Sequence, residues 1–178
     1  MSKKMISLVL SVSALFGAVF SSHAAEISVS AQSACLISCD TGEIIYEKNA
    51  GERLPMASTT KIMTCLVAVE NGELSSPVNV DDRAIGTEGT SLYLEKGDCL
   101  TLEDLLYAMM LRSANDAAAA VAYHIAGSIE AFADMMNEKA ASLGLSDTHF
   151  TNPHGLAEEG HYTSAHDFAV LTMNALKN

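Results

Sequence analysis

The segment that most constrains this chain is Lys61-Ile-Met-Thr-Cys-Leu-Val-Ala-Val-Glu-Asn71. It is apolar on most faces of a helix through Val69, and Asn71-Gly72 stops it. A helix without a polar stripe has to be surrounded, so the rest of the chain must pack around this one. Lys61 stands at its start and Ser58 three positions earlier, one helical turn away on the same side. A serine hydroxyl becomes a nucleophile when a nearby base takes its proton, and a desolvated lysine can be that base. The first turn of a helix also offers unpaired backbone N–H groups and the positive end of the dipole, which suits an oxyanion. The plainer reading makes Ser58 a helix cap and Lys61 a surface lysine.

Local patterns fill in the surroundings. Residues 33–38 and 43–48 are short β-prone runs about Cys39-Asp40-Thr41-Gly42, the pattern of a β-hairpin. Residues 73–100 read as irregular, with Gly- and Asp-containing turns. Thr101 with Asp104 forms a capping box, and Leu102, Leu105, Leu106, Met109 and Met110 follow at helical spacing, with the methionines as core filler. Further helices are expected over 116–126 and 128–143, with Gly144 as a stop, and a last one opens at Ser164 with Asp167. Between the 102–111 and 116–126 helices lies Arg112-Ser113-Ala114-Asn115-Asp116. As local structure this is a helix stop and restart, with Asn115 or Asp116 as N-cap. No repeat, low-complexity tract or linker divides the chain, which reads as one unit.

Composition excludes some functions. The chain of 178 residues carries a formal charge of −12 and has no basic cluster, so nucleic-acid binding is not expected. Lys3 and Lys4, the apolar run Ile6–Phe20 and the small-x-small end Ser22-His23-Ala24 form a secretory signal peptide over residues 1–24, with cleavage after Ala24. The mature chain, 25–178, is then exported and more acidic still. An anionic substrate would need local positive charge, for which Lys61 and Arg112 are the candidates. Cys35, Cys39, Cys65 and Cys99 lack zinc spacing; Cys35 and Cys39 bracket the first strand, and Cys65, on the Lys61 face, is expected as a buried core thiol. Export permits disulfides, but no essential bridge is expected. His149, His154, His161 and His166 match no metal-ligand spacing, so structural roles and no metal are expected.

Three separated segments, Pro55-Met-Ala-Ser-Thr-Thr-Lys-Ile-Met-Thr64, Leu111-Arg-Ser-Ala-Asn-Asp-Ala-Ala118 and Phe150-Thr-Asn-Pro-His-Gly-Leu156, occur in an order that carries a resemblance. From about Ser33 onward the chain resembles the serine D-alanyl-D-alanine carboxypeptidases, the low-molecular-mass penicillin-binding proteins. The resemblance implies an α+β transpeptidase fold, a five-stranded antiparallel sheet with helices on both faces and a helical subdomain. Of it this chain holds the first hairpin, the nucleophile helix and the helical subdomain. It implies Ser58 as nucleophile, Lys61 as base, Ser113 as proton relay and Asn115 as the ligand of the substrate amide carbonyl. It implies a peptidoglycan pentapeptide ending in D-Ala-D-Ala as substrate, β-lactams as inhibitors and no cofactor. No Lys-Thr-Gly or Lys-Ser-Gly occurs before Asn178, so residues 25–178 read as the front part of the catalytic domain, with little hydrolysis expected of them alone and no membrane anchor encoded. Two rivals are a β-lactamase, for which Glu158 or Glu159 would assist deacylation, and an inactive fragment that only binds β-lactam or wall peptide.

Overall fold

The computed structural model describes residues 27–178, and the expected signal peptide over 1–24 lies outside them. The first hairpin forms as the pattern predicts: β1 (Ala34–Ile37) pairs antiparallel with β2 (Ile44–Lys48), with a bulge between Leu36 and Ile37. Gly42, at φ +74°, lets the connecting turn close with hydrogen bonds from Gly42 N to Ser38 O and from Ser38 N to Glu43 O. Cys35 lies inside β1 opposite Glu47, so the two cysteines do not bracket the strand.

After the hairpin, a 3-10 turn (Ala57–Thr60) leads into α1 (Lys61–Asn71). Met63, Leu66, Val67 and Ala68 are buried along α1. The helix packs against all four other α-helices of the unit Ala31–Asn178 but is not fully surrounded as expected, since Ile62 and Cys65 are half-buried and Val69 is exposed. These are α2 (Leu102–Arg112), α3 (Asn115–Ala126), α4 (Ile129–Ser142) and α5 (Ala165–Ala175). Thr101, Ser128 and Ser164 cap α2, α4 and α5 through their hydroxyls, each accepting from the backbone N–H three residues on. The alanines 117–120 and Ala122 are buried, and their small side chains let α3 approach its neighbours closely.

Residues 73–100 are more ordered than their composition predicts. Val78 is fully buried within β3 (Pro77–Asn79), which pairs antiparallel with β4 (Cys99–Thr101). A 3-10 turn (Asp82–Ala84) follows β3. Three-residue strands are too short to show an alternating pattern in the sequence. The start of α3 also differs from expectation. Its N-cap is Ala114, and neither Asn115 nor Asp116 takes the capping position. Both side chains are turned to other tasks.

Candidate active site

Ser58 is exposed on the 3-10 turn ahead of α1, while Lys61, only 2% exposed, lies behind it at the helix start. The residue before the serine, Ala57, takes a left-handed backbone (φ 47°), an unfavourable conformation for a residue with a Cβ. Its surroundings enforce it. Gly155 (φ +89°) lies directly against the Ala57 carbonyl, where any Cβ would collide with backbone.

The Lys61 amine makes three contacts, all with neutral oxygens: Ser58 Oγ at 3.2 Å, Asn115 Oδ1 at 2.7 Å and the His154 carbonyl at 2.6 Å. No carboxylate is among them, so no opposite charge offsets the cost of burying a cation. Desolvation therefore lowers its pKa from 10.5 to about 8. His154 is lowered to about 4, first by burial and then by the Lys61 charge, so at neutral pH its ring adds no second cation.

Two pieces of chain hold this arrangement. The first is the loop 151–156. The Asn152 side chain accepts from Gly155 N (2.7 Å) and donates to Leu156 O (3.0 Å), closing an Asx turn. That turn presents two carbonyls to α1. Pro153 O receives the Thr64 hydroxyl at 2.6 Å, and His154 O receives Lys61. The second is the segment 88–94, which wraps the start of α3. Asn115 N donates to Thr90 O (2.7 Å) and Asn115 Nδ2 to Glu88 O (2.6 Å). Gly89, at φ +95°, makes this approach possible, since a Cβ there would sit 2.6 Å from Asn115 Nδ2. Asp116, fully buried, accepts from Ser91 Oγ (2.6 Å), Leu92 N (3.0 Å), Leu94 N (3.1 Å) and Ala117 N (2.9 Å). Burial alone would raise its pKa, but these donors outweigh that and hold the carboxyl below its ordinary value.

Of the four residues singled out in the sequence, three meet directly: Ser58, Lys61 and Asn115. Ser113 occupies the left-handed C-cap of α2 (φ 57°), half-buried, and among the described residues its hydroxyl makes no hydrogen bond. Arg112 ends α2 exposed and bonds to none of these groups. Glu158 is exposed and tied to its own loop by Thr151 Oγ1 and Asn152 Nδ2, and Glu159 is exposed beside it. Cys65 is half-buried and, rather than facing the amine, lines an apolar groove with Val69, Leu106 and Met110, where burial pushes its thiol up. All four cysteines are free thiols. The four histidines make separate contacts, and among the described residues no group of three or more His, Cys, Asp or Glu side chains could hold a metal. Thr64 and the His154 carbonyl were not singled out in the sequence, and Asp116 only as a helix cap. The Asn-Pro-His-Gly turn signal did mark the loop, but nothing local tells which helix its carbonyls meet.

Residues 19–178 match the Peptidase_S11 family model, described as D-alanyl-D-alanine carboxypeptidase. The chain is 44% identical over 157 residues to the D-alanyl-D-alanine carboxypeptidase DacF of Bacillus subtilis, a match covering 85% of this chain and 40% of that protein. It is 36% identical over 155 residues to DacC of Escherichia coli, covering 81% and 39%. The crystal structure of DacD from Francisella tularensis aligns with a TM-score of 0.83 at 36% identity, over 86% of this chain and 38% of that one. The chain thus spans about 40% of the length of the curated relatives it matches. With the expected motifs in the expected order and the fold of a penicillin-binding protein, this chain belongs to the D-alanyl-D-alanine carboxypeptidase family, Peptidase S11.

Proposed function

We propose that this protein is a serine-type D-Ala-D-Ala carboxypeptidase that trims the terminal D-alanine from peptidoglycan stem peptides through an acyl-enzyme on Ser58. The observation that carries the reading is the Lys61 amine, buried, 3.2 Å from an exposed serine hydroxyl and lowered to a pKa of about 8. A neutral amine has two N–H groups and one lone pair. Asn115 Oδ1 and His154 O, the two shorter contacts, take the N–H groups, which leaves the lone pair for the Ser58 proton. The base is therefore oriented as well as made easier to deprotonate near neutral pH.

In the reaction, Ser58 Oγ adds to the carbonyl between the two D-alanines and its proton passes to Lys61. The Ser58 N–H, in the opening of its turn, serves as one oxyanion donor. The peptide C–N bond then breaks, and the leaving D-alanine amine takes up a proton, relayed in this reading by Ser113. Water cleaves the resulting ester and restores Ser58. Asn115 Nδ2 gives one N–H to Glu88 O, and its second N–H is assigned to the substrate amide carbonyl. β-Lactams acylate the same serine. Residues 1–24 are read as an export signal, which places the enzyme on the outer side of the cytoplasmic membrane with its wall substrate; among the described residues no helix is long and apolar enough to cross a membrane. No observation favours the β-lactamase rival, since the Glu158 carboxylate is held by Thr151 and Asn152.

Intact-mass spectrometry after incubation with benzylpenicillin, beside Ser58→Ala, tests the nucleophile. The expected result is a stable adduct formed only when Ser58 is present. Rapid penicillin turnover without an adduct would favour a β-lactamase. D-Alanine release from a stem pentapeptide by the full-length protein tests the reaction itself.

A further inference from the structure

We propose that His161 is a positioning residue for the acylation of Ser58, tying the turn that carries Ser58 and Lys61 to the loop that delivers the His154 carbonyl. This rests on the reading of Ser58 and Lys61 given above and adds a residue to it. His161 is buried and packs edge-on against Phe150, 5.9 Å between ring centres. Its two nitrogens reach two different pieces of chain. Nε2 lies 2.8 Å from the Thr60 hydroxyl, next to Lys61, and Nδ1 lies 3.1 Å from Thr151 N, the first residue of the loop 151–156.

The backbone fixes the tautomer. Thr151 N can only donate, so Nδ1 must be the acceptor, and the ring proton sits on Nε2, donated to Thr60 Oγ1. The Thr151 hydroxyl gives its own proton to Glu158 Oε2 at 2.8 Å and leaves Nδ1 to the amide. The neutral ring thus bridges both sides of the cleft that holds Lys61. A proton on Nδ1 would set it against the Thr151 N–H, and one of the two contacts must then break. The loop would lose its attachment at Thr151, three residues before the carbonyl that takes one of the Lys61 protons. Burial favours the neutral ring, the Glu158 carboxylate opposes it, and the imidazoles of His149 and His154 lie near it.

Lys61 and His161 must then both be neutral for acylation. The test is the acylation rate of the full-length protein by benzylpenicillin, followed by intact mass from pH 5 to 9, in wild type, His161→Gln and His161→Ala. Glutamine offers an acceptor and a donor about as far apart as the ring nitrogens and does not titrate. The expected result is that His161→Ala slows acylation by about 100-fold, the scale on which small misplacements act, while His161→Gln restores most of the rate. Burial holds the His161 pKa below 6.5, so any steepening of log rate against pH beyond the slope of one set by Lys61 should lie below pH 6.5 and be absent in His161→Gln. The inference is overturned if His161→Ala acylates at the wild-type rate, if His161→Gln is as slow as His161→Ala, or if a steepening below pH 6.5 persists in His161→Gln. Melting temperatures identify a variant that has unfolded, and if His161→Ala does so, the rate of folded His161→Gln against wild type decides: a rate near wild type supports the inference and a loss of about 100-fold overturns it. Absence of any Ser58-dependent adduct in wild type is a separate result that removes the active-site reading and this inference with it.

Discussion

A lysine amine with three oxygens around it is either a cation with every donor used or a neutral base with its lone pair on one of them. Around Lys61 the balance is moved toward the neutral base by what is missing: Ser58, Asn115 and His154 offer dipoles and no negative charge. Acylation of Ser58 should therefore rise about tenfold per pH unit below the Lys61 pKa of about 8 and level off above it, read from adduct formation against pH. Lys61→Arg keeps a cation that cannot accept a proton at any working pH, and should slow acylation by about 10²–10⁴-fold. Stability carries the same signature with its own sign. The folded pKa lies below the unfolded value of 10.5, so between about 8 and 10.5 the unfolded chain binds more protons and stability rises with pH. Relative to Lys61→Met, which does not titrate, the wild-type melting temperature should climb across that window, and a constant difference would show that the amine is not desolvated. Ser58 and Lys61 were legible in the sequence because one turn joins them. Thr64 and the His154 carbonyl were not, because their partners are brought together only by the fold.

At the scale of elements, loops supply much of the precision around α1. The loop 151–156 lies on the segment 57–64 through Gly155 against Ala57, His154 O on Lys61 and Pro153 O on Thr64. Gly155→Ala would put a methyl group into the Ala57 carbonyl at a backbone angle that alanine disfavours, and should lower stability by more than about 1 kcal/mol in urea unfolding while abolishing the penicillin adduct. Asp116→Asn leaves the four donors of Ser91, Leu92, Leu94 and Ala117 facing a side chain with one acceptor and one donor end. A loss of about 2–3 kcal/mol is expected, measured in the same way. The Asp116 carboxyl is held below its ordinary value, so its contribution is present above the unfolded pKa near 3.8 and is lost only as pH falls below that. α2 and α5 could be read from their caps, since Thr101 and Ser164 cap where the sequence places them, and the other helices from apolar patterning and stop signals. The β3–β4 pair could not, because pairing across 20 residues leaves no trace in strands of three. Asp116 shows the same limit: a carboxylate at a helix start signals a cap, and only the fold shows that it anchors a loop instead.

Over the whole molecule, two surface properties act against each other. The chain is strongly acidic, at −12, and its copies repel at low ionic strength. It also exposes an apolar groove of about 310 Å³ between α1 and α2, lined by Val69, Leu106, Tyr107, Met110 and Leu111, with the exposed Leu176 beside a second groove that shares Cys65, Val69 and Met110. Apolar surface of this kind favours association wherever charge does not prevent it. Salt separates the two effects, because the screening length falls from about 30 Å at 0.01 M to about 3 Å at 1 M while apolar burial persists. Sedimentation velocity of this chain should show a monomer at low salt and larger species as sodium chloride approaches about 0.5 M. Leu111→Lys with Leu176→Lys should suppress that shift, since both residues are more than 70% exposed and carry no core packing. The adduct with benzylpenicillin should be unaffected, because neither residue touches Ser58, Lys61 or Asn115. A sedimentation coefficient that does not change with salt would mean that this groove is too shallow to hold a second copy, and that charge alone does not keep the chain monomeric.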